Sequence, residues 1–279
     1  GKIAEEVIRE NVTVDNIESL DLDTMIDEVA EKVNIDRGRA YERVIYTNAE
    51  GVKIPIFKIK GRQTEEGDAP DIQFEIAGQA FNVEVKLKGA QYTSWTINDV
   101  DFNSGKVTIK KKTGLPKKVI EKIESLDFKG FQKLAAKYGI TMNSIKDPIP
   151  KDVYQKIKND GGLRLISFDD KTGSLGLNFG NIGEVYDAKG VNDIQLKDLG
   201  LFNMGKNNRF NLFDISKQPL NAYIRPVPIT IKGGPNAGQY QLTYRVLPQA
   251  IKDRTFDIKK SNYSIDTANG INKLLKSDA

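Results

Sequence analysis

Apolar and polar residues alternate through residues 71–88, and this period of two predicts a two-stranded β-hairpin. The first predicted strand runs from Asp71 to Ile76 and the second from Phe81 to Lys88. With Gly78-Gln79 as the central pair of a type II′ turn, all the apolar side chains fall on one face. That face carries Ile72, Phe74, Ile76, Phe81, Val83, Val85 and Leu87, and the other carries Asp71, Gln73, Glu75, Asn82, Glu84, Lys86 and Lys88. In this register Asp71 lies opposite Lys86 and diagonal to Glu84.

A second pattern, with apolar residues at helical spacing, follows Asp36, which is a suitable N-cap. Its apolar stripe consists of Ala40, Tyr41, Val44 and Ile45. Glu42 borders this stripe, where a carboxylate is unfavourable unless it is paired or bound to a cation.

The remaining patterns divide the chain into an acidic helical segment at residues 1–35, a core at 36–170 and a β-rich region at 171–279. Further helices are predicted at Ile3–Arg9, Asn16–Val33, Pro116–Ser125 and Phe128–Tyr138. Strands are predicted at Lys53–Lys60, Leu163–Phe168, Asn221–Lys232 and Gln239–Leu247, with a further hairpin at Thr96–Lys112. We therefore expect an α/β fold.

Composition narrows the chemistry, because the 279 residues include neither histidine nor cysteine. Histidine-dependent triads, zinc-thiolate sites and disulfides are excluded, and catalysis must use carboxylates, lysine, tyrosine or serine. Residues 1–36 carry a charge of −8 and the rest of the chain +12, so we expect a polyanionic partner for the basic part. No apolar run is long enough to span a bilayer and no signal peptide is recognisable, which predicts a cytoplasmic protein without a membrane partner.

Asp71 and Glu84 converge in the predicted hairpin, and two carboxylates at that spacing repel each other unless a cation joins them. Hard oxygen ligands favour Mg²⁺ or Mn²⁺. Lys86 projects from the same face, where its ammonium group would hold or polarise a water molecule beside the metal.

These residues resemble a known signature. Pro70-Asp71, twelve intervening residues and Glu84-Val85-Lys86 are similar to the motif of the PD-(D/E)xK nucleases, which include restriction endonucleases, Holliday-junction resolvases and lambda-type exonucleases. The resemblance implies a restriction-endonuclease-like core, with a mixed central sheet flanked by helices, and a metal-dependent DNA endonuclease. It assigns Asp71, Glu84 and the Val85 carbonyl to Mg²⁺, with Mn²⁺ as a substitute, and Lys86 to the attacking water. It assigns Glu42 to a second metal ion or its water.

The same resemblance implies a Gln or Ser near the bound phosphate after the Glu84-Val85-Lys86 strand, and Gln91 and Ser94 are both candidates for this role. Further candidates for DNA contacts are the lysine run, formed by Lys110, Lys111, Lys112, Lys117 and Lys118, and the strand residues Arg225 and Arg245. A lysine run is also typical of a solvated face.

Several alternatives stay open. The chain would also suit an exonuclease or a junction resolvase of the same superfamily, or a DNA-binding or assembly protein that keeps the fold without cleaving. Glu42 could instead pair with Arg39 or Arg43, and Glu84 and Lys86 could belong to an ordinary solvated strand face. Homo-oligomerisation is not decided by the sequence.

Overall fold

A computed structural model describes residues 21–62, 70–87, 90, 92–160, 173–250 and 256–277. It is a mixed α/β protein with two five-stranded sheets. The described helices are α1 (Leu22–Val33), α2 (Arg37–Glu50), α3 (Lys117–Glu124), α4 (Lys129–Lys137), α5 (Lys151–Asn159), α6 (Ile182–Val185) and α7 (Ala268–Ser277). The strands are β1 (Phe57–Arg62), β2 (Ile72–Ile76), β3 (Gln79–Lys86), β4 (Trp95–Val100), β5 (Val107–Lys110), β6 (Ser174–Asn181), β7 (Asp193–Leu196), β8 (Gly200–Asn203), β9 (Pro219–Thr230) and β10 (Tyr240–Ala250).

The chain divides into two compact units, and each is built from separate stretches of sequence. The first unit comprises Gly1–Ala90, Asn181–Gln218 and Arg254–Ala279, and the second comprises Gln91–Gly180 and Pro219–Asp253. These boundaries differ from the predicted ones at residues 35 and 170. The predicted core at 36–170 therefore combines strands of the first unit with strands and helices of the second.

The sheet of the first unit has the order β1-β2-β3-β7-β8. Strands β1, β2 and β3 are antiparallel neighbours, whereas β7 pairs with β3 in parallel and β8 returns antiparallel to β7. A parallel pair needs a long crossover connection. Here that connection contains the first sequence stretch of the second unit.

The β2–β3 hairpin has the predicted faces but not the predicted register. Ile76 pairs with Gln79 and Phe74 with Phe81, so the central pair of the turn is Ala77-Gly78. Both residues have positive φ angles, +49° and +79°, as a type I′ turn requires. The type II′ turn at Gly78-Gln79 was therefore a wrong prediction. The slip of two residues leaves every side chain on its predicted face, because side chains alternate with a period of two.

Helices α1, α2 and α7 pack on the apolar face of this sheet. Asp36 caps α2 as predicted, since its carboxylate accepts a hydrogen bond from the Arg39 N–H at 2.9 Å. Tyr41, Val44 and Ile45 are completely buried in one apolar cluster with Ile72, Phe74, Val83 and Val85. This packing fixes β3 with its apolar side against α2 and with Glu84 and Lys86 on the opposite side.

The sheet of the second unit has the order β5-β4-β10-β9-β6. Its long pair β9–β10 and the hairpin β4–β5 confirm the predicted strands at 221–232 and 239–247 and the predicted hairpin at 96–112. Helices α3 and α4 confirm the helices predicted at 116–125 and 128–138. These elements do not complete the first unit's sheet, whose last two strands are β7 and β8.

Four other predictions concern segments that are described only in part, begin elsewhere or lie outside the described residues. Helix α1 confirms the later part of the helix predicted at 16–33, and β1 begins at Phe57, four residues after the predicted start at Lys53. The helix at 3–9 and the strand at 163–168 lie outside the described residues. Within the described ranges, no helix has the length and apolar character needed to cross a membrane.

Candidate metal centre

The actual register of the β2–β3 hairpin brings two carboxylates together. Ile72 pairs with Val83, so Asp71, one residue earlier, is level with Glu84. The Asp71 carboxylate accepts a hydrogen bond from the Val85 N–H at 2.9 Å. Asp71 is thus held directly opposite Glu84 and not opposite Lys86. The two carboxylates are therefore direct cross-strand neighbours, whereas the predicted register made them diagonal neighbours.

Glu84 is the most buried member of the site. Its side chain is only 1% exposed, and two lysine ammonium groups approach the same oxygen, Oε1. The Nζ atom of Lys86 lies 3.4 Å away and that of Lys189 lies 3.9 Å away. Both lysines remain partly accessible to solvent, with side chains 20% and 24% exposed.

The electrostatics of Glu84 are those of a carboxylate held away from water. The pKa of Glu84 is raised to about 7, mainly because the group is buried and also because the Asp71 carboxylate lies beside it, whereas Lys86 and Lys189 act in the opposite direction. Two positive charges therefore do not fully offset the burial of this group. A divalent cation at the site would favour the ionised form much more strongly.

The second oxygen of Glu84 shows where such a cation fits. Oε2 is buried and has no hydrogen-bond partner among the described residues. Buried carboxylate oxygens without partners are rare, because each loses its hydration without compensation. The Asp71 carboxylate interacts with the Glu84 carboxyl, so the hard oxygens available here come from these two groups, and such oxygens suit Mg²⁺ or Mn²⁺.

The Val85 carbonyl points to the same edge of β3. In an extended strand the N–H and C=O groups of one residue are directed to the same side. The Val85 N–H is bonded to Asp71, so its carbonyl is also directed towards the Asp71 side of the strand. Glu84, Asp71 and the Val85 carbonyl are therefore the residues that could hold a divalent cation.

Glu42 is not brought into this group. No set of three or more acidic side chains close enough to hold a metal ion occurs in the part of the chain that the structure describes. Glu42 is half-buried on α2, and that helix packs on the Val85 face of the sheet, opposite to Glu84. The predicted role of Glu42 at a second metal ion stays a prediction.

Lys189 is a site residue that the sequence patterns did not indicate. It ends a 3-10 turn at Asp187–Lys189, just before β7. The β3 strand holds this segment in place: the Asn82 side chain donates to the Gly190 carbonyl at 3.3 Å, and the Asn82 N–H donates to Asn192 Oδ1 at 3.0 Å. Lys189 reaches Glu84 only because β7 pairs in parallel with β3, a pairing between residues more than a hundred positions apart.

A buried polar network fixes β7 behind the site. Gln195 pairs with Val85 and is completely buried. Its Nε2 atom donates to Tyr41 Oη at 3.2 Å and to Ser264 Oγ at 2.9 Å, and its Oε1 accepts from the Ile265 N–H at 3.0 Å. The network joins α2, β7 and the segment before α7, so it holds β7, and with it the Lys189 segment, against β3.

The candidate DNA contacts fall in the second unit. Lys110 is exposed at the end of β5, and Lys111 and Lys112 follow it, also exposed. Lys117 and Lys118 are exposed on α3, and Lys117 lies 3.9 Å from Glu121. Arg225 on β9 and Arg245 on β10 are direct partners in the β9–β10 ladder. Gln91 lies outside the described residues.

No protein-family model, no curated protein and no solved structure matches this chain.

Proposed function

We propose that the protein is a metal-dependent deoxyribonuclease of the PD-(D/E)xK type, with its active centre at Asp71, Glu84 and Lys86. The observation that carries the proposal is the buried Oε2 atom of Glu84, which has no hydrogen-bond partner among the described residues and belongs to a carboxylate next to a second carboxylate and a lysine. An ordinary solvated strand face would not bury one carboxylate to 1% exposure beside another.

The order of elements in the first unit supports the proposal. Helix α2 is followed by β1, β2 and β3, which is the opening order expected of a restriction-endonuclease-like core. The sheet is mixed, since β7 joins the antiparallel strands in parallel, and helices pack on one of its faces. The Pro70-Asp71 and Glu84-Val85-Lys86 motifs lie at adjacent ends of β2 and β3.

Each residue has a distinct role. Asp71, Glu84 and the Val85 carbonyl would hold Mg²⁺ or Mn²⁺. When bound, the cation would supply Lewis-acid activation of the phosphodiester and of the attacking water. Lys86, whose side chain is partly accessible, would orient that water and offset the negative charge that develops on the phosphate. Lys189 has a positioning role, because it contacts the same Glu84 oxygen as Lys86 and favours the ionised carboxylate.

The proposal is tested by two measurements on Asp71→Asn and Glu84→Gln. Both variants should abolish DNA cleavage in Mg²⁺ or Mn²⁺, and both should weaken Mn²⁺ binding measured by calorimetry without DNA. Substrates should include supercoiled plasmid, linear duplex, single strands and a four-way junction, because the site does not distinguish endonuclease, exonuclease and resolvase.

Glu75→Gln is the matched control. Glu75 lies on the same face of β2 as Asp71 and pairs with Lys60, with 3.0 Å between the charged atoms. The Glu75 side chain is 23% exposed. The Glu75→Gln variant therefore shows the effect of removing a strand carboxylate that lies outside the proposed metal centre. Wild-type Mn²⁺ binding by Glu84→Gln, or cleavage at the wild-type rate by either variant, would contradict the proposal.

A further inference from the structure

We propose that one face of the second unit's sheet binds the DNA backbone, through a row of side chains that crosses four strands. The row is defined by strand register. Lys110 on β5 pairs with Thr96 on β4, Thr96 pairs with Arg245 on β10, and Arg245 pairs with Arg225 on β9. Direct partners in antiparallel strands project from the same face, so these four side chains form one line, which we call the cationic row. This inference rests on the proposed function, because it names how the nuclease would hold its substrate.

The face that carries the cationic row is not the face that packs on the helices. Tyr240 and Tyr244 alternate with Arg245 along β10 and point to the other side of the sheet. The rings of Phe128 and Tyr244 are 5.4 Å apart, and those of Tyr154 on α5 and Tyr240 are 5.1 Å apart. Helix α5 and the start of α4 therefore cover the tyrosine side of the sheet.

The cationic row is accessible at its two ends and partly enclosed in its middle, since Thr243 and Leu247, the nearest residues to Arg245 on the same face of β10, are buried. Lys110 and Arg225 are exposed, and Thr96 and Arg245 are half-buried. A half-buried arginine keeps its aliphatic part against the sheet and its guanidinium group towards solvent. The central part of the row is thus more firmly held than a free surface lysine.

The charges in the row lack a protein partner within the described ranges. No acidic side chain there lies within ion-pair distance of Lys110, Arg225 or Arg245. Like charges placed directly opposite each other destabilise a strand pair, and Arg225 faces Arg245 in this way. An anionic ligand lying across the row would relieve that repulsion.

The dimensions of the row suit a nucleic acid backbone. Four adjacent strands span three inter-strand spacings, or about 14 Å. One strand of B-DNA carries a phosphate about every 3.4 Å along the helix axis, so the row covers about four nucleotides. Arginine forms bidentate hydrogen bonds with phosphate, and the Thr96 hydroxyl adds a neutral donor between the two cationic ends of the row. The ligand that we propose for the row is duplex DNA, which is the substrate class of the proposed nuclease.

The test separates binding from cleavage. DNA affinity is measured by fluorescence anisotropy in Ca²⁺ over a range of salt concentrations, for the full chain and for the Arg225→Gln/Arg245→Gln double variant. The slope of log affinity against log salt should fall by about 0.9 for each phosphate that is no longer neutralised, so the double variant should fall by about 1.8. Adding Lys110→Gln should lower the slope further.

A matched control removes two positive charges from the other side of the same unit. Lys133 and Lys137 are exposed on α4, so Lys133→Gln/Lys137→Gln changes the net charge equally and should leave the slope near wild type. Arg225→Lys/Arg245→Lys keeps the charges and should retain most of the slope. Circular dichroism and thermal melting check that each variant is folded.

The outcomes distinguish this inference from the proposed function. If the wild type cleaves DNA but the row variants keep its affinity and slope, the cationic row is not the binding surface and the nuclease proposal stands. If the wild type binds DNA in a row-dependent manner and never cleaves, the binding surface stands and the nuclease proposal fails. Row-dependent binding of RNA in place of duplex DNA would overturn the inference.

Discussion

At the scale of single residues, the site consists of one deeply buried carboxylate surrounded by groups that act on it. Glu84 is joined by Asp71, which opposes its ionisation, and by Lys86 and Lys189, which favour it. The sequence motif predicted three of these four residues, Asp71, Glu84 and Lys86, because they lie on the same face of one hairpin. Lys189 could not be found in this way, since nothing in its local pattern distinguishes it from any lysine before a turn.

The two lysines should separate in kinetics, because only Lys86 is assigned to the reacting water. Lys86→Ala should lower the single-turnover cleavage rate by about 10²–10⁴-fold while DNA affinity in Ca²⁺ stays near wild type. Raising Mg²⁺ should not restore this rate. If Lys86→Ala has a weaker affinity and keeps its rate, Lys86 is a surface lysine.

Lys189→Ala should behave differently, because Lys189 acts through Glu84. Its removal raises the pKa of Glu84 and so weakens cation binding near neutral pH. We expect a cleavage defect that higher Mg²⁺ or higher pH repairs, and a lowered Mn²⁺ affinity in calorimetry. Lys189→Arg keeps the charge and should retain most of that affinity. A Lys189→Ala defect that Mg²⁺ cannot repair would place this lysine in the chemical step.

At the scale of elements, the β2–β3 hairpin shows what an alternating pattern can and cannot specify. The pattern predicted which residues face the core, and packing on α2 confirms those faces. It could not choose between registers that differ by two residues, because both keep the same faces. The turn decided the register: Ala77-Gly78 forms the type I′ pair, although Gly78 also suits the first position of a type II′ turn.

The type I′ turn leads to a stability prediction, because Ala77 has a φ angle of +49°. An alanine in the left-handed region is unfavourable by about 1–2 kcal/mol, and asparagine tolerates that region well. Ala77→Asn should therefore raise the free energy of unfolding by roughly 1 kcal/mol, measured by urea denaturation. Ala80→Asn, on the adjoining strand, is the control and should give no gain, since asparagine is disfavoured in strands. A loss of stability in Ala77→Asn would mean that the turn is not type I′.

At the scale of the whole molecule, local patterns did not indicate that each unit is assembled from separate segments. Helical and strand periodicities are local, and they placed most described elements correctly. The parallel pairing of β3 with β7 joins distant segments, and short strands such as β7 and β8 carry little periodicity of their own. The predicted blocks at 1–35, 36–170 and 171–279 therefore differ from the two units, each of which combines separate segments of the chain.

The absence of histidine makes the pH dependence of stability unusually direct to interpret. No histidine titrates between pH 5 and 8, so perturbed carboxyl groups dominate that range. Two are buried in the first unit. Glu84 has a pKa of about 7, and so does Asp193, which is raised by burial and opposed by a hydrogen bond that Asn203 donates at 3.1 Å. Asp23 and Asp101 have lowered pKa values and titrate below this range.

The sign of the effect follows from proton binding. Without metal, the folded protein keeps protons on Glu84 and Asp193 that the unfolded chain has already released, so stability falls as the pH rises from about 4.5 to about 7. Each carboxyl group should contribute on the order of 3 kcal/mol to this decrease. The free energy of unfolding, measured in EDTA by urea denaturation from about pH 4.5 to about pH 8, should decline accordingly and level off above about pH 7.

Substitution assigns each part of the decline to its carboxyl group. Glu84→Gln removes the part of the decline in stability that is due to Glu84, and it should be more stable than the wild type at pH 8 in EDTA. Asp193→Asn removes the part that is due to Asp193. Mg²⁺ at pH 8 should restore stability to the wild type and to Asp193→Asn, because both retain Glu84, and should not stabilise Glu84→Gln. Equal stabilisation of all three proteins by Mg²⁺ would show that the cation binds elsewhere, and the buried Glu84 oxygen would then need another ligand.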